Sequence, residues 1–273
     1  MKALATLLLL AGCTQVRGGG GIVSVNPCAD AMLVRLVEPA RIAAISHYSQ
    51  DPGATSIPSA VASRFRVTAG TAEEVIALRP SLVLASTFTP AATRAAYTRA
   101  GLRVVLLDSP VTVAASVAQV RQVAAAVGER ERGERVAGEV ERAVASALPR
   151  LPPGKEEREG VSPDTPSALL LLSGDLANGS GTLLDELLRR AGFRNAAADY
   201  GLRYTGRLPV EVLAATPPAV VIAPDRAGRT RDLRRKLLPD VPQASFPREL
   251  INCGGPSIIP ALARLRAIRA SLP

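Results

Sequence analysis

Tryptophan is absent from this 273-residue chain, aromatic residues make up only 3%, and there is a single histidine. Any core must therefore be built from Leu, Val, Ile and Ala, which belong to an apolar share of 47%. One histidine also argues against a bare Zn or Mn cargo, which needs several imidazoles and carboxylates converging. The glycine-rich stretch Gly174 to Thr182 lacks the lysine that a phosphate-binding loop requires. No Gly-x-Ser-x-Gly turn is present to present a nucleophilic serine. The formal charge of +9 is mostly arginine, spread through helical stretches beside glutamate. Without a basic block interleaved with aromatics, a nucleic-acid partner is not expected.

What is present begins at the N-terminus. Lys2 precedes the apolar run Ala3 to Ala11, too short to span a bilayer, and then Gly12-Cys13. Residues 1–12 read as a secretory signal. Leu10-Ala11-Gly12-Cys13 resembles the bacterial lipobox, which implies that Cys13 is lipidated and becomes the mature N-terminus. Residues 13–21, with Gly18 to Gly21, read as a flexible tether. The expected location is the periplasm or another extracytoplasmic membrane face, lipid-anchored.

The stretch Gly128 to Leu148 holds no proline and repeats Val136, Val140, Val144 and Leu148 every fourth residue, with Glu and Arg elsewhere. This predicts one amphipathic helix of roughly 30 Å. On either side of it the same pattern recurs, a Glu followed six residues later by Pro and then an apolar run. Glu74, Pro80 and Leu82–Ala85 form one copy; Glu211, Pro217 and Val220–Ala223 form the other. A short helix, a proline stop and a buried strand explain it. The expected organisation is an α/β lobe at 22–127, a backbone helix at 128–148, a solvated loop at 149–166 and a second lobe at 167–273. Expected strands are Ile22–Val25, Ile42–Ile45, Leu82–Ala85, Val104–Leu107, Ala168–Leu172 and Val220–Ala223, alternating with helices as in parallel sheets.

Ligands of such sheets sit beyond the carboxyl ends of the strands. The residues there are Asn26 and Cys28; His47, Tyr48 and Ser49; Thr87 and Phe88; Asp108; and Ser173, Asn178 and Ser180. Cys253, like Cys28, stands before a helix. The two cysteines admit three readings: a disulfide, paired thiols touching a metal or cofactor, or isolated buried residues. His47 reads either as a hydrogen-bonded structural residue or as a ligand to iron or cobalt. A thiol enzyme using Cys28 and His47 is the alternative to a binding role; no catalytic residue is otherwise expected.

Across the mature chain these marks resemble a helical-backbone (class III) substrate-binding protein of an ABC importer, the group serving cobalamin, ferric siderophores and haem. The matching stretches are Ser46-His47-Tyr48-Ser49-Gln50-Asp51-Pro52, Gly70 to Ala85, Gly179 to Leu187, and Gly192-Phe193-Arg194-Asn195. The resemblance implies two Rossmann-like lobes joined by one long helix with the ligand cleft between them. It also implies a monomer with no intrinsic cofactor, an Fe or Co chelate as cargo, and a permease–ATPase complex in the inner membrane as partner. Glu73 and Glu211 would dock onto the permease. Val67 and Ser86 stand where cobalamin binders carry aromatics, so the expected ligand is the metal-chelate class and not one named corrin.

Overall fold

The computed structural model describes residues 20–146, 165–224 and 228–272. The expected signal segment, Cys13 with most of the tether, the last two residues of the backbone stretch and nearly all of the 149–166 loop lie outside them.

The first lobe is a five-stranded parallel sheet with helices on its faces. Its elements are β1 (Ile22–Ser24), α1 (Pro27–Leu36), β2 (Ile42–Ser46), α2 (Ser59–Ala62), β3 (Val67–Thr68), α3 (Ala72–Ala77), β4 (Leu82–Ser86), α4 (Ala91–Arg99), β5 (Val104–Leu107) and α5 (Val113–Val127). The strand order is β3-β2-β1-β4-β5. Asn26 caps α1 by accepting from the Cys28 N–H, and Pro27 occupies the first turn, where its missing N–H costs nothing. The α1 helix thus starts at Pro27. Thr71 and Thr112 cap α3 and α5 in the same way.

Gly128, left-handed at φ 80°, ends α5 and turns the chain into α6 (Arg130–Ala145). This is the backbone helix, 16 residues long in place of the expected 21, so about 24 Å. Val136, Val140 and Val144 are buried, as their spacing requires. The helix packs tightly on α5: a Cβ added to Gly133 would stand 2.2 Å from the Cβ of Ala124. Gly133→Ala is therefore expected to destabilise by about 1–3 kcal/mol through overpacking, despite alanine's better helix propensity. Thermal unfolding checks this; a stabilised variant would mean that the two helices can separate freely. Outside the seam, Arg35–Glu139, Arg132–Glu38 and Arg121–Glu134 pairs join the helix to its neighbours. Being solvent-exposed, each is worth at most about 1 kcal/mol.

The second lobe comprises β6 (Ser167–Ser173), β7 (Leu176–Ala177), α7 (Leu183–Arg190), β8 (Arg194–Asn195), β9 (Gly206–Arg207), α8 (Val210–Ala215), β10 (Val220–Ala223), α9 (Arg229–Leu237), β11 (Gln243–Ser245) and α10 (Ile258–Ala270). β6, β10, β11 and β8 run parallel, and β7 and β9 extend the sheet antiparallel. The repeated Glu-to-Pro pattern is α3 leading to β4 in one lobe and α8 leading to β10 in the other.

One large core runs through both lobes, beside a smaller cluster within each. Met32 and Leu33 of α1, Val120 of α5, Val140 of α6, Leu184 of α7 and Leu262 of α10 belong to one buried cluster. Polar ties cross as well: Glu186 accepts from the Val113 N–H at 2.7 Å, and the Gly255 N–H donates to Ser116 Oγ at 2.5 Å. Cys28 and Cys253 form a disulfide with Cα atoms 5.1 Å apart, bridging the start of α1 to the segment before α10. Among the described residues no helix is long and apolar enough to cross a membrane.

Candidate functional site: the cleft between the lobes

Three parallel strands of the second lobe end at one place. Leu171 and Ser173 from β6, Ala223 and Pro224 from β10, and Ser245 and Pro247 from β11 line a cavity of about 850 Å³. Its other wall is Asp51, Pro52 and Gly53, which follow β2 of the first lobe. The cavity is thus a crevice at the carboxyl ends of the strands, where open α/β sheets hold their ligands, and it is the size of a small-molecule site.

Arginine dominates its polar lining, with Arg229, Arg231 and Arg234 from α9 and Arg248 from the turn after β11. Arg248 spans the crevice, donating from Nε to the Gly53 carbonyl at 2.7 Å and from Nη1 to the Leu172 carbonyl at 2.5 Å. Asp51 and Glu249 are the carboxylates of the lining. Asp51 Oδ1 already accepts the Gly53 N–H at 2.7 Å, which closes the turn that presents these residues.

Of the residues expected to bind the ligand, Ser173 alone lines this cavity, although Asp51 and Gly174 from the same strand ends line it too. Cys28 and Cys253 are bonded to each other, so neither offers a thiolate to a metal or a substrate. Asn26 is spent on its cap. His47 Nδ1 lies 3.2 Å from the Thr68 carbonyl, and its ring rests 4.0 Å from that of half-exposed Tyr48. Ser49 is buried and donates to Asp30 Oδ2 at 2.6 Å. Thr87 donates to Asp108 Oδ1 at 3.1 Å, and the same oxygen accepts the Ser109 N–H. Phe88 stands 75% exposed beside them. Asn178 is buried in a knot with Thr182 and Asn195, and Ser180 is half-buried in the loop after β7. No group of three or more His, Cys, Asp or Glu that could hold a metal occurs among the described residues.

Beneath the turn that leads to Asp51 lies a buried acid the sequence did not advertise. Asp30 Oδ2 accepts from the Ser46 N–H and the Ser49 hydroxyl, while Oδ1 has no partner. Burial pushes its carboxyl up to about 7, against the lowering effect of the Ser24 and Ser49 hydroxyls and the Ser46 N–H.

On the outer surface, Glu73 and Glu211 sit exposed in the first turns of α3 and α8. Neither has a side-chain hydrogen bond or ion pair among the described residues. Adjacent Glu74 differs: the Thr68 hydroxyl and the Ala69 N–H hold it below the usual carboxylate range.

Residues 22–241 match the family model described as periplasmic binding protein. The chain belongs to that family. Solved structures support the fold over nearly the whole length. The periplasmic heme-binding protein RhuT of Roseiflexus sp. RS-1 in apo form shares 23% identity at a TM-score of 0.69, covering 92% of this chain and 99% of that one. The periplasmic heme-binding protein HutB of Vibrio cholerae gives a TM-score of 0.72 at 15% identity, covering 91% and 98%. The periplasmic vitamin B12-binding protein BtuF of Vibrio cholerae gives 0.65 at 16%, covering 91% and 95%. No curated protein matches by sequence. As a periplasmic binding protein the chain is a two-lobed α/β receptor with its crevice between the lobes.

Proposed function

We propose that this periplasmic binding protein is the lipid-anchored receptor of an ABC importer and captures a metal chelate, such as a ferric siderophore, haem or a cobalamin-like molecule. The observation that carries this is the crevice itself, bounded by three strand ends of one lobe and by Asp51–Gly53 of the other. The heme- and vitamin B12-binding neighbours support the chelate class. Anchoring rests on Leu10 to Cys13. The working division is a lobe at 22–127, a backbone helix within 128–148 and a lobe at 167–273. The protein acts as a monomer. It works by stoichiometric uptake, because the disulfide removes the nucleophile a Cys28–His47 enzyme would need.

Native mass spectrometry of protein purified from its own host, read with an optical spectrum, tests the reading. Expected is one chelate per chain; a protein that carries none and binds none from a panel of ferric siderophores, haemin and cobalamin would sink it.

Delivery to the permease runs through Glu73 and Glu211, unpaired charges on matching helices of the two lobes. Glu73→Arg and Glu211→Arg are each expected to reduce chelate import roughly tenfold, since a rim charge of the docking face is replaced by one of opposite sign. Chelate affinity in solution should stay unchanged. Import at the wild-type rate in the double variant would remove these residues from the docking face.

A further inference from the structure

We propose that the face of the first lobe from which the tether leaves is a contact surface for anionic phospholipid headgroups, on which the receptor rests with its crevice turned away from the membrane. This rests on Cys13 carrying the lipid and adds a second attachment, made by the folded chain itself. Strands β1, β2, β4 and β5 run parallel and start level with one another: Ile22 pairs with Ile42 and Leu82, and Val83 with Val104. The chain reaches this end of the sheet at Gly20 and Gly21. A Cβ on Gly20 would lie 2.2 Å from the Leu78 carbonyl oxygen and 2.6 Å from that of Arg79, and one on Gly21 would lie 2.7 Å from that of Arg41. The exit of the tether is therefore pressed between the residues that lead into β2 and β4.

Arginine collects around that exit. Arg79 stands just ahead of β4, Arg103 immediately precedes β5, Arg99 ends the helix that turns into β5, and Arg130 opens α6. All are exposed, and among the described residues none has a side-chain hydrogen bond or ion pair. The acids beside them are mostly spent: Glu129 pairs with Arg41 and Glu38 with Arg132, leaving Glu131 in the first turn of α6. The second lobe has no such pattern, since β6, β10 and β11 are entered from Pro166, Ala219 and Pro242. Arg79 is also unusual in its backbone. It follows the cap of α3 at φ 46°, the left-handed position that favours glycine, and is the one non-glycine residue with positive φ among the described residues. An arginine held there at a conformational cost, exposed and unpaired, fits a role for its side chain.

Gly20 lies seven residues after Cys13, so the anchor holds this face within about 25 Å of the bilayer. Free guanidinium groups at that range meet the negative surface potential and match lipid phosphates geometrically. The crevice opens at the other end of the same strands, and Glu73 stands at the opposite end of α3 from Arg79. The resting pose thus leaves the crevice open to cargo and is given up for docking through Glu73.

The test uses the mature chain from residue 13 as Cys13→Ser, which carries no acyl group. It is mixed with vesicles of equimolar phosphatidylglycerol and phosphatidylcholine, or of phosphatidylcholine alone. Co-sedimentation is expected with the anionic vesicles only, and raised salt should release it. Arg99→Gln/Arg103→Gln should weaken it about tenfold or more. Arg79→Gly should weaken it severalfold while the melting temperature holds or rises, which separates a surface role from a structural one. Arg235→Gln/Lys236→Gln, the same loss of charge on α9 of the second lobe, should bind as the unsubstituted face does. No association with the anionic vesicles, equal association with the neutral ones, or an equal loss in the α9 variant overturns the proposal. Retention on polyglutamate without vesicle association would point to an acidic protein instead and overturns it too. The anchor is read separately, from the mass of the N-terminal peptide of protein purified from its own host. An acylated Cys13 without vesicle association of the acyl-free chain sinks the resting face alone, whereas association without acylation sinks the anchor and leaves the face standing.

Discussion

Removing the Cys28–Cys253 bond, by reduction or as Cys28→Ser/Cys253→Ser, is expected to lower the unfolding free energy by about 5 kcal/mol. The bond closes a loop spanning 225 residues, and on the chain-entropy estimate the denatured state gains that much freedom when the loop opens. For a chain of this size the melting temperature should fall by roughly 10 °C or more. The position of the bond sharpens the expectation. It joins the first turn of α1 to the segment before α10, beside the Gly255–Ser116 hydrogen bond. Its loss should thus also speed amide exchange along 252–258 and at the start of α1. Unchanged melting in the double variant would mean that the shared core alone sets stability.

The second large effect concerns Asp30. In the unfolded chain its carboxyl titrates near 3.8, and in the folded protein at about 7. Because the folded value is raised, the folded state holds a proton that the unfolded state has already released. Stability is therefore complete below about pH 4 and is lost as pH rises through 7, by on the order of 4 kcal/mol. Asp30→Asn keeps an acceptor for the Ser46 N–H and the Ser49 hydroxyl and removes the titration. Denaturant unfolding of both proteins from pH 4 to 8 should show the variant gaining on wild type as pH rises. A difference between them that does not change with pH would contradict this. The same ionisation lies under the turn that presents Asp51, so its effect should extend to cargo affinity.

Periodicity made the frame legible. Val104–Leu107 and Val220–Ala223 are strands at the expected bounds, because apolar runs act locally. The backbone helix follows its valine stripe, but Gly128 and Glu129 belong to its entry turn. The crevice was far less legible. Its cationic wall is α9, whose RTRDLRRKL carries no apolar stripe; its inward positions include Arg231 and Arg234, with Leu238 beyond its end. Polar burial of that kind leaves no periodic trace. The β11 strand, Gln-Ala-Ser, is similarly silent. Asp51 lies within the Ser46–Pro52 stretch, but the residues there with ligating side chains, His47 and Tyr48, are placed outside the cavity lining by the 3₁₀ turn at His47–Gln50. The cysteines were visible as a pair, but spacing alone does not choose between a bond and two thiols; that choice is three-dimensional.

Capture between two lobes is tested most directly by hydrogen exchange with and without the chelate that co-purifies. Expected is slowed exchange on both walls at once, at 51–53 in the first lobe and at 171–174 and 245–249 in the second. Protection confined to one lobe, or appearing only at sites remote from these three segments, would contradict it.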